Sequence, residues 1–62
     1  MKIKFCDYIK TAQIGDIFYN QDGVKYVITK IGKEKSIAIE ITQNYREEVE
    51  WRSEDKDKII LA

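Results

Sequence analysis

The chain has no histidine, no proline and a single cysteine, Cys6. Each absence closes a route. Without histidine, Cys6 lacks the usual base that turns a thiol into a nucleophile. One cysteine permits no intramolecular disulfide, and Cys6 alone offers no ligand set for a structural zinc. No turn is set by proline chemistry. The three glycines, Gly15, Gly23 and Gly32, are too far apart for a phosphate-binding loop, and none precedes an expected helix. No apolar run approaches the roughly 18 residues of a membrane-spanning helix. The formal net charge is +0, so the overall basic excess of a general nucleic-acid binder is missing. A lone thiol, with no long apolar segment near Met1, leads us to expect a cytoplasmic protein. We expect no cofactor, no metal, no membrane partner and no enzymatic activity.

What is present favours a sheet. The 62 residues include eleven isoleucines and three valines but one leucine. Isoleucine and valine branch at Cβ and suit a pleated strand better than a helix. A chain this short buries only about 60% of its unfolded surface. It therefore makes one domain, residues 1–62, that needs every buried apolar group it has.

Period-two runs locate the strands. Met1, Ile3 and Phe5 alternate with Lys2 and Lys4. Residues 7–14 are ambiguous: Asp7 can cap a single helical turn with Ile9 and Ala12 inward, or the segment is a plain turn. Ile17 to Asn20 and Val24 to Ile31 read as two strands joined at Asp22-Gly23, a strong hairpin signal because the turn needs a residue that tolerates positive φ. Ile37, Ile39 and Ile41 alternate with Ala38, Glu40 and Thr42. Val49 and Trp51 share a face opposite Glu48, Glu50 and Arg52. Ser53 to Asp57 is a charged loop or helical turn, and Lys58 to Leu61 closes the fold. The expectation is an all-β domain of about five antiparallel strands with at most one short helical turn. Its expected core is Ile17 or Phe18, Tyr26, Ile28, Ile37, Ile39, Ile41, Val49 and Ile59 or Leu61. On that reading Ile39→Ala costs roughly 2–5 kcal/mol.

The run Phe5-x-Asp7, Ile14-Gly15-Asp16-Ile17-Phe18 and Gly23-x-x-Tyr26-x-Ile28 resembles the opening of small SH3-like β-barrel proteins, which are frequent in phages and mobile elements. The resemblance implies that Gly-Asp-x-Phe starts the first long strand, Gly-x-x-Tyr-x-Ile returns it, and Lys58-Ile59-Ile60-Leu61 closes a barrel. It implies a binding role, as an accessory protein or an inhibitor of a host factor, and carries no functional site with it.

Glu47, Glu48, Glu50, Glu54, Asp55 and Asp57 supply paired carboxylates, but a chain this small is a poor host for the cleft that paired-carboxylate chemistry requires. Asp55-Lys56-Asp57 lacks the ligand series and glycine of a calcium loop. Charge is uneven: residues 1–35 hold seven lysines and four acids, and residues 36–62 hold four basic and seven acidic residues. Phe5, Phe18, Tyr26 and Trp51 are the aromatics expected in the core, and Tyr19 and Tyr45 those expected at the surface. The segment from Tyr45 to Arg52 combines the residue types that dominate interface hot spots with a run of acids. We therefore take Tyr45, Arg46, Glu47, Glu48, Glu50, Trp51 and Arg52 as candidate partner-binding residues for a protein with a basic surface. One rival is a nucleic-acid-binding barrel using Lys25, Lys30, Lys33, Lys35, Tyr19 and Tyr26. The other is a homo-oligomer that sequesters a small ligand.

Overall fold

The computed structural model describes residues 1–62. The chain runs through β1 (Lys2–Lys4), α1 (Phe5–Ile9), β2 (Ile17–Tyr19), β3 (Lys25–Lys30), β4 (Lys35–Ile41), β5 (Arg46–Arg52), a 3₁₀ turn (Ser53–Asp55) and β6 (Ile59–Leu61). All six strands form one antiparallel sheet in the order β1-β6-β2-β3-β4-β5. The expected all-β, antiparallel architecture is present, with six strands. β1 and β5 are its outer strands, and no ladder joins them.

There are two short helical pieces where the sequence suggested at most one. α1 begins at Phe5, ahead of Asp7. The reason is tertiary: the Phe5 N–H donates to the Lys58 carbonyl at 2.8 Å and the Cys6 N–H to the Lys56 carbonyl at 2.9 Å. Distant backbone thus satisfies first-turn donors that a side-chain cap would otherwise serve. The β2–β3 turn forms as expected. Gly23 has φ +84°, a region that side chains disfavour. The Asn20 side chain organises the loop, its Oδ1 accepting from the Asp22 N–H at 2.9 Å and the Val24 N–H at 3.0 Å.

The core is aromatic at its centre. Phe5, Phe18, Tyr26, Ile28, Ala38, Trp51 and Ile60 are buried together, with Val49, Tyr8 and Ile9 packed around them. Phe18 stacks on Tyr26 at 5.1 Å, Phe5 stacks on Trp51 at 4.6 Å, and Trp51 presents its edge to Phe18 at 5.3 Å. α1 lies against this inner face, delivering Phe5.

The expected core needs correction at two strands. In β4 the buried residues are Ser36 and Ala38, while Ile37, Ile39 and Ile41 face the other side of the sheet. The period is two, as read, but its phase is opposite. The rings of Phe18, Tyr26 and Trp51 fill the inner space, so β4 can present only small side chains there. In β6 it is Ile60, rather than Ile59 or Leu61, that points inward. Ile39→Ala therefore leaves no cavity in the core, and the expected cost falls to about 1 kcal/mol. A thermal melt checks this: a loss as large as that of a core truncation would restore the opposite phase.

Registers fix what the outer face holds. Ile17 pairs with Val27, Val27 with Ile39 and Ile39 with Glu48. In the next row Tyr19, Lys25, Ile41 and Arg46 follow one another. The outer face is therefore an apolar band, in which Ile17 and Tyr19 are 46% and 41% exposed.

Candidate functional site

The β4–β5 hairpin determines which backbone groups of β5 are used. The Thr42 N–H donates to the Tyr45 carbonyl at 3.0 Å. The Tyr45 N–H donates instead to the Thr42 hydroxyl at 3.2 Å. Antiparallel pairing alternates from that point without a register shift. Glu47, Val49 and Trp51 exchange bonds with β4, while the N–H and C=O groups of Arg46, Glu48 and Glu50 point away from it. The open run ends at Arg52, whose N–H donates to Asp55 Oδ2 at 3.0 Å. β5 is thus a seven-residue edge strand with a free stretch in its first five residues.

A cleft of about 360 Å³ borders this strand. Val49, Glu50 and Trp51 form one wall, and the Asn20–Asp22 turn forms another. Tyr26, Asp55, Lys58 and Ile59 complete it. Asp22 and Asp55 give two carboxylates against one ammonium, and Lys58 is already paired with Asp55 at 2.9 Å; Glu50 borders the cleft, but its carboxylate is held by Lys35 and Arg52 on the outer face. Lys58 also lies 5.6 Å from the centre of the Trp51 ring. The cleft is acidic at its rim and apolar where Val49, Trp51 and Ile59 line it.

Hydrogen bonds hold several of these groups in fixed charge states. Glu40 accepts from the Tyr26 hydroxyl and the Tyr45 hydroxyl, each at 2.7 Å. These bonds, that of Tyr45 foremost, keep its carboxyl below the usual range. Burial, and then the bond to Glu40, push the Tyr26 hydroxyl up to about 12. The Lys35 and Arg52 hydrogen bonds hold Glu50 below the usual range. Burial raises Asp55, but the Arg52 N–H and Lys58 outweigh it and the carboxyl ends lower. Glu40, Glu50 and Asp55 therefore stay ionised at a pH where ordinary carboxylates begin to protonate.

The seven candidate residues share one strand and its turn, but their side chains divide between two faces. Arg46, Glu48, Glu50 and Arg52 lie on the outer face, and Glu47 lies inward opposite Glu40. Tyr45 is 48% exposed at the hairpin tip. Trp51 is 6% exposed and stacked on Phe5, so it floors the cleft and does not project from the surface as an anchor. The acids are also less free than their number suggests: Glu50 accepts from Lys35 at 3.0 Å and from Arg52 at 2.7 Å. Sequence reasoning missed Asn20, Gln21 and Lys58 as cleft walls. The Asp22-Gly23 turn located the loop, but nothing local tells that it faces β5.

No group of three His, Cys, Asp or Glu side chains is placed to hold a metal ion. No helix is long and apolar enough to cross a membrane. Compared with protein-family models, curated proteins and solved structures, the chain matches none. Fold and site together define a small antiparallel β domain with one long open edge beside an acidic cleft.

Proposed function

We propose that this chain is a non-enzymatic binding module, an accessory or inhibitory protein that docks a protein partner along β5. The open backbone of Arg46, Glu48 and Glu50 is the observation that carries this reading. An extended partner segment can add to such an edge, with main-chain bonds giving affinity and alternate side chains giving specificity. One row of its side chains would enter the cleft over Val49 and Trp51. The other would run along Arg46, Glu48 and Glu50. The carboxylates of the edge and cleft favour a partner segment with basic side chains, which they would also steer during encounter. Tyr45 and Arg46 sit at the end of the strand as anchors.

Charge reversal tests the reading. The partner is first captured from a lysate of the source organism and identified. Glu47, Glu48 and Glu50 are then replaced by Lys together, and in a separate variant Lys30, Lys33 and Lys35 are replaced by Glu. The carboxylate variant should bind the captured protein at least tenfold more weakly while remaining folded. The lysine variant should change binding little. The reverse ranking, with nucleic acid recovered as the ligand, would move the function to the basic residues. The outer apolar face favours self-association, but it carries seven cations (Lys2, Lys4, Lys25, Lys30, Lys35, Arg46, Arg52) against Glu48 and Glu50. Two copies packed face to face would set like charge against like.

A further inference from the structure

A second cleft, of about 350 Å³, meets the first only at Trp51. Its floor is apolar, made by Phe5, Ile9 and Trp51 beside Cys6. Its rim is cationic. Lys10 comes from the end of α1, Lys33 from the β3–β4 connection and Lys56 from just beyond the 3₁₀ turn; Lys35 and Arg52 also border the opening, but their side chains are held by Glu50 on the outer face. Against Lys10, Lys33 and Lys56 the cleft holds one carboxylate, Glu34. Segments far apart in sequence thus deliver like charge to one opening.

Part of that charge is uncompensated. Lys35 and Arg52 share Glu50, and Lys10 lies 3.6 Å from Asp7. Lys33 and Lys56 have no acidic partner within ion-pair distance. Gathering ammonium groups in a concavity raises the local potential and attracts anions. The volume is within the range of small-molecule sites. A bare inorganic ion would satisfy the rim and leave the aromatic floor uncovered. Phe5 and Trp51, stacked on each other at 4.6 Å and only 5% and 6% exposed, present ring edges there, which with Ile9 make a small apolar floor that a flat apolar body can cover. The Ser36 and Ser53 side chains add hydroxyl donors to the same lining.

We propose that this cleft binds a small anion with a flat apolar body, of the aryl phosphate and nucleotide class. The anionic head sits between Lys33 and Lys56, and the ring covers the Phe5–Trp51 floor. The site lies beyond the open stretch Arg46–Glu50 and shares only Trp51 with the acidic cleft, which neither Lys33 nor Lys56 lines.

The test is an amide-resolved titration of the labelled chain with four probes: phenyl phosphate, adenosine monophosphate, inorganic phosphate and phenol. Phenyl phosphate or adenosine monophosphate should shift the Cys6, Lys33, Ser36 and Ser53 signals saturably. Half-saturation should come at a concentration at least tenfold below that of inorganic phosphate or phenol. Preference between phenyl phosphate and adenosine monophosphate tells a nucleotide source from another. The exposed double variant Lys33→Gln/Lys56→Gln should lose at least tenfold in affinity while keeping the parent spectrum. The control Lys2→Gln/Lys30→Gln should bind as the parent does. The proposal is overturned by shifts confined to other surfaces, by equal response to phosphate or phenol alone, or by undiminished binding in the folded Lys33/Lys56 variant.

Discussion

Phe18→Ala should remove about half or more of the domain's stability and lower its melting temperature steeply. Phe18 is 0% exposed. Its ring lies 5.7 Å from Phe5, 5.3 Å from Tyr8, 5.1 Å from Tyr26 and 5.3 Å from Trp51. Removing it takes one partner from every ring in the cluster at once. Truncating a buried phenylalanine costs about 3–5 kcal/mol. At about 0.05–0.15 kcal/mol per residue a domain of this size has only some 3–9 kcal/mol to lose. Phe18→Leu keeps most of the volume and should cost about 1 kcal/mol, leaving a folded protein with a lower melting temperature. Near-ultraviolet circular dichroism reads both, since the aromatic signal depends on fixed packing. A Phe18→Ala chain that melts within a few degrees of the parent would place the centre of the core elsewhere.

The second large effect separates two adjacent residues. Glu47→Pro and Glu48→Pro each remove one N–H from β5, but from opposite sides. The Glu47 N–H faces β4, so its loss breaks a ladder bond, leaves a β4 carbonyl without its donor and should cost about 1–3 kcal/mol. The Glu48 N–H faces the open side, where proline is tolerated in edge strands. Glu48→Pro should therefore stay within about 1 kcal/mol of the parent by denaturant titration. It should nevertheless abolish docking of an added strand, because the edge loses a donor and gains a ring where the partner must approach. Glu48→Gln, which keeps the N–H, should retain most of the affinity. A Glu48→Pro chain that still binds the captured protein as the parent does would rule out docking through the β5 backbone.

Much of the fold is legible because its determinants are local. Asp22-Gly23 between two apolar runs marks the β2–β3 hairpin, and the β-branched content with period-two alternation marks β3, β4 and β5. The phase of β4 is not legible. Ile37, Ile39 and Ile41 form the most regular apolar series in the chain, yet Ser36 and Ala38 take the inner face because rings from β2, β3 and β5 occupy the volume opposite them. The start of α1 is hidden for a similar reason, since carbonyls some fifty residues away accept from Phe5 and Cys6. The candidate site divides in the same way. The sequence marks Glu48 to Arg52 as a charged, alternating strand with Tyr45 near its turn. It does not reveal that β5 ends the sheet, because edge position follows from the order in which β1, β6 and β2 pair. Trp51 is legible as a core aromatic, but its stacking on Phe5 comes from α1 and is not. The basic cleft gathers residues from positions 10, 33, 35, 52 and 56, a convergence that only the fold produces.

Whether β5 is an open edge is decided most directly by residue-resolved amide hydrogen exchange on the pure chain. Protection should alternate along the strand. Glu47, Val49 and Trp51 should be protected to nearly the global stability of the domain, while Glu48 and Glu50 exchange orders of magnitude faster. Addition of the captured partner should then protect Glu48 and Glu50 selectively. Uniform protection of all five amides in the pure chain would mean that the edge is already paired, and would contradict the account.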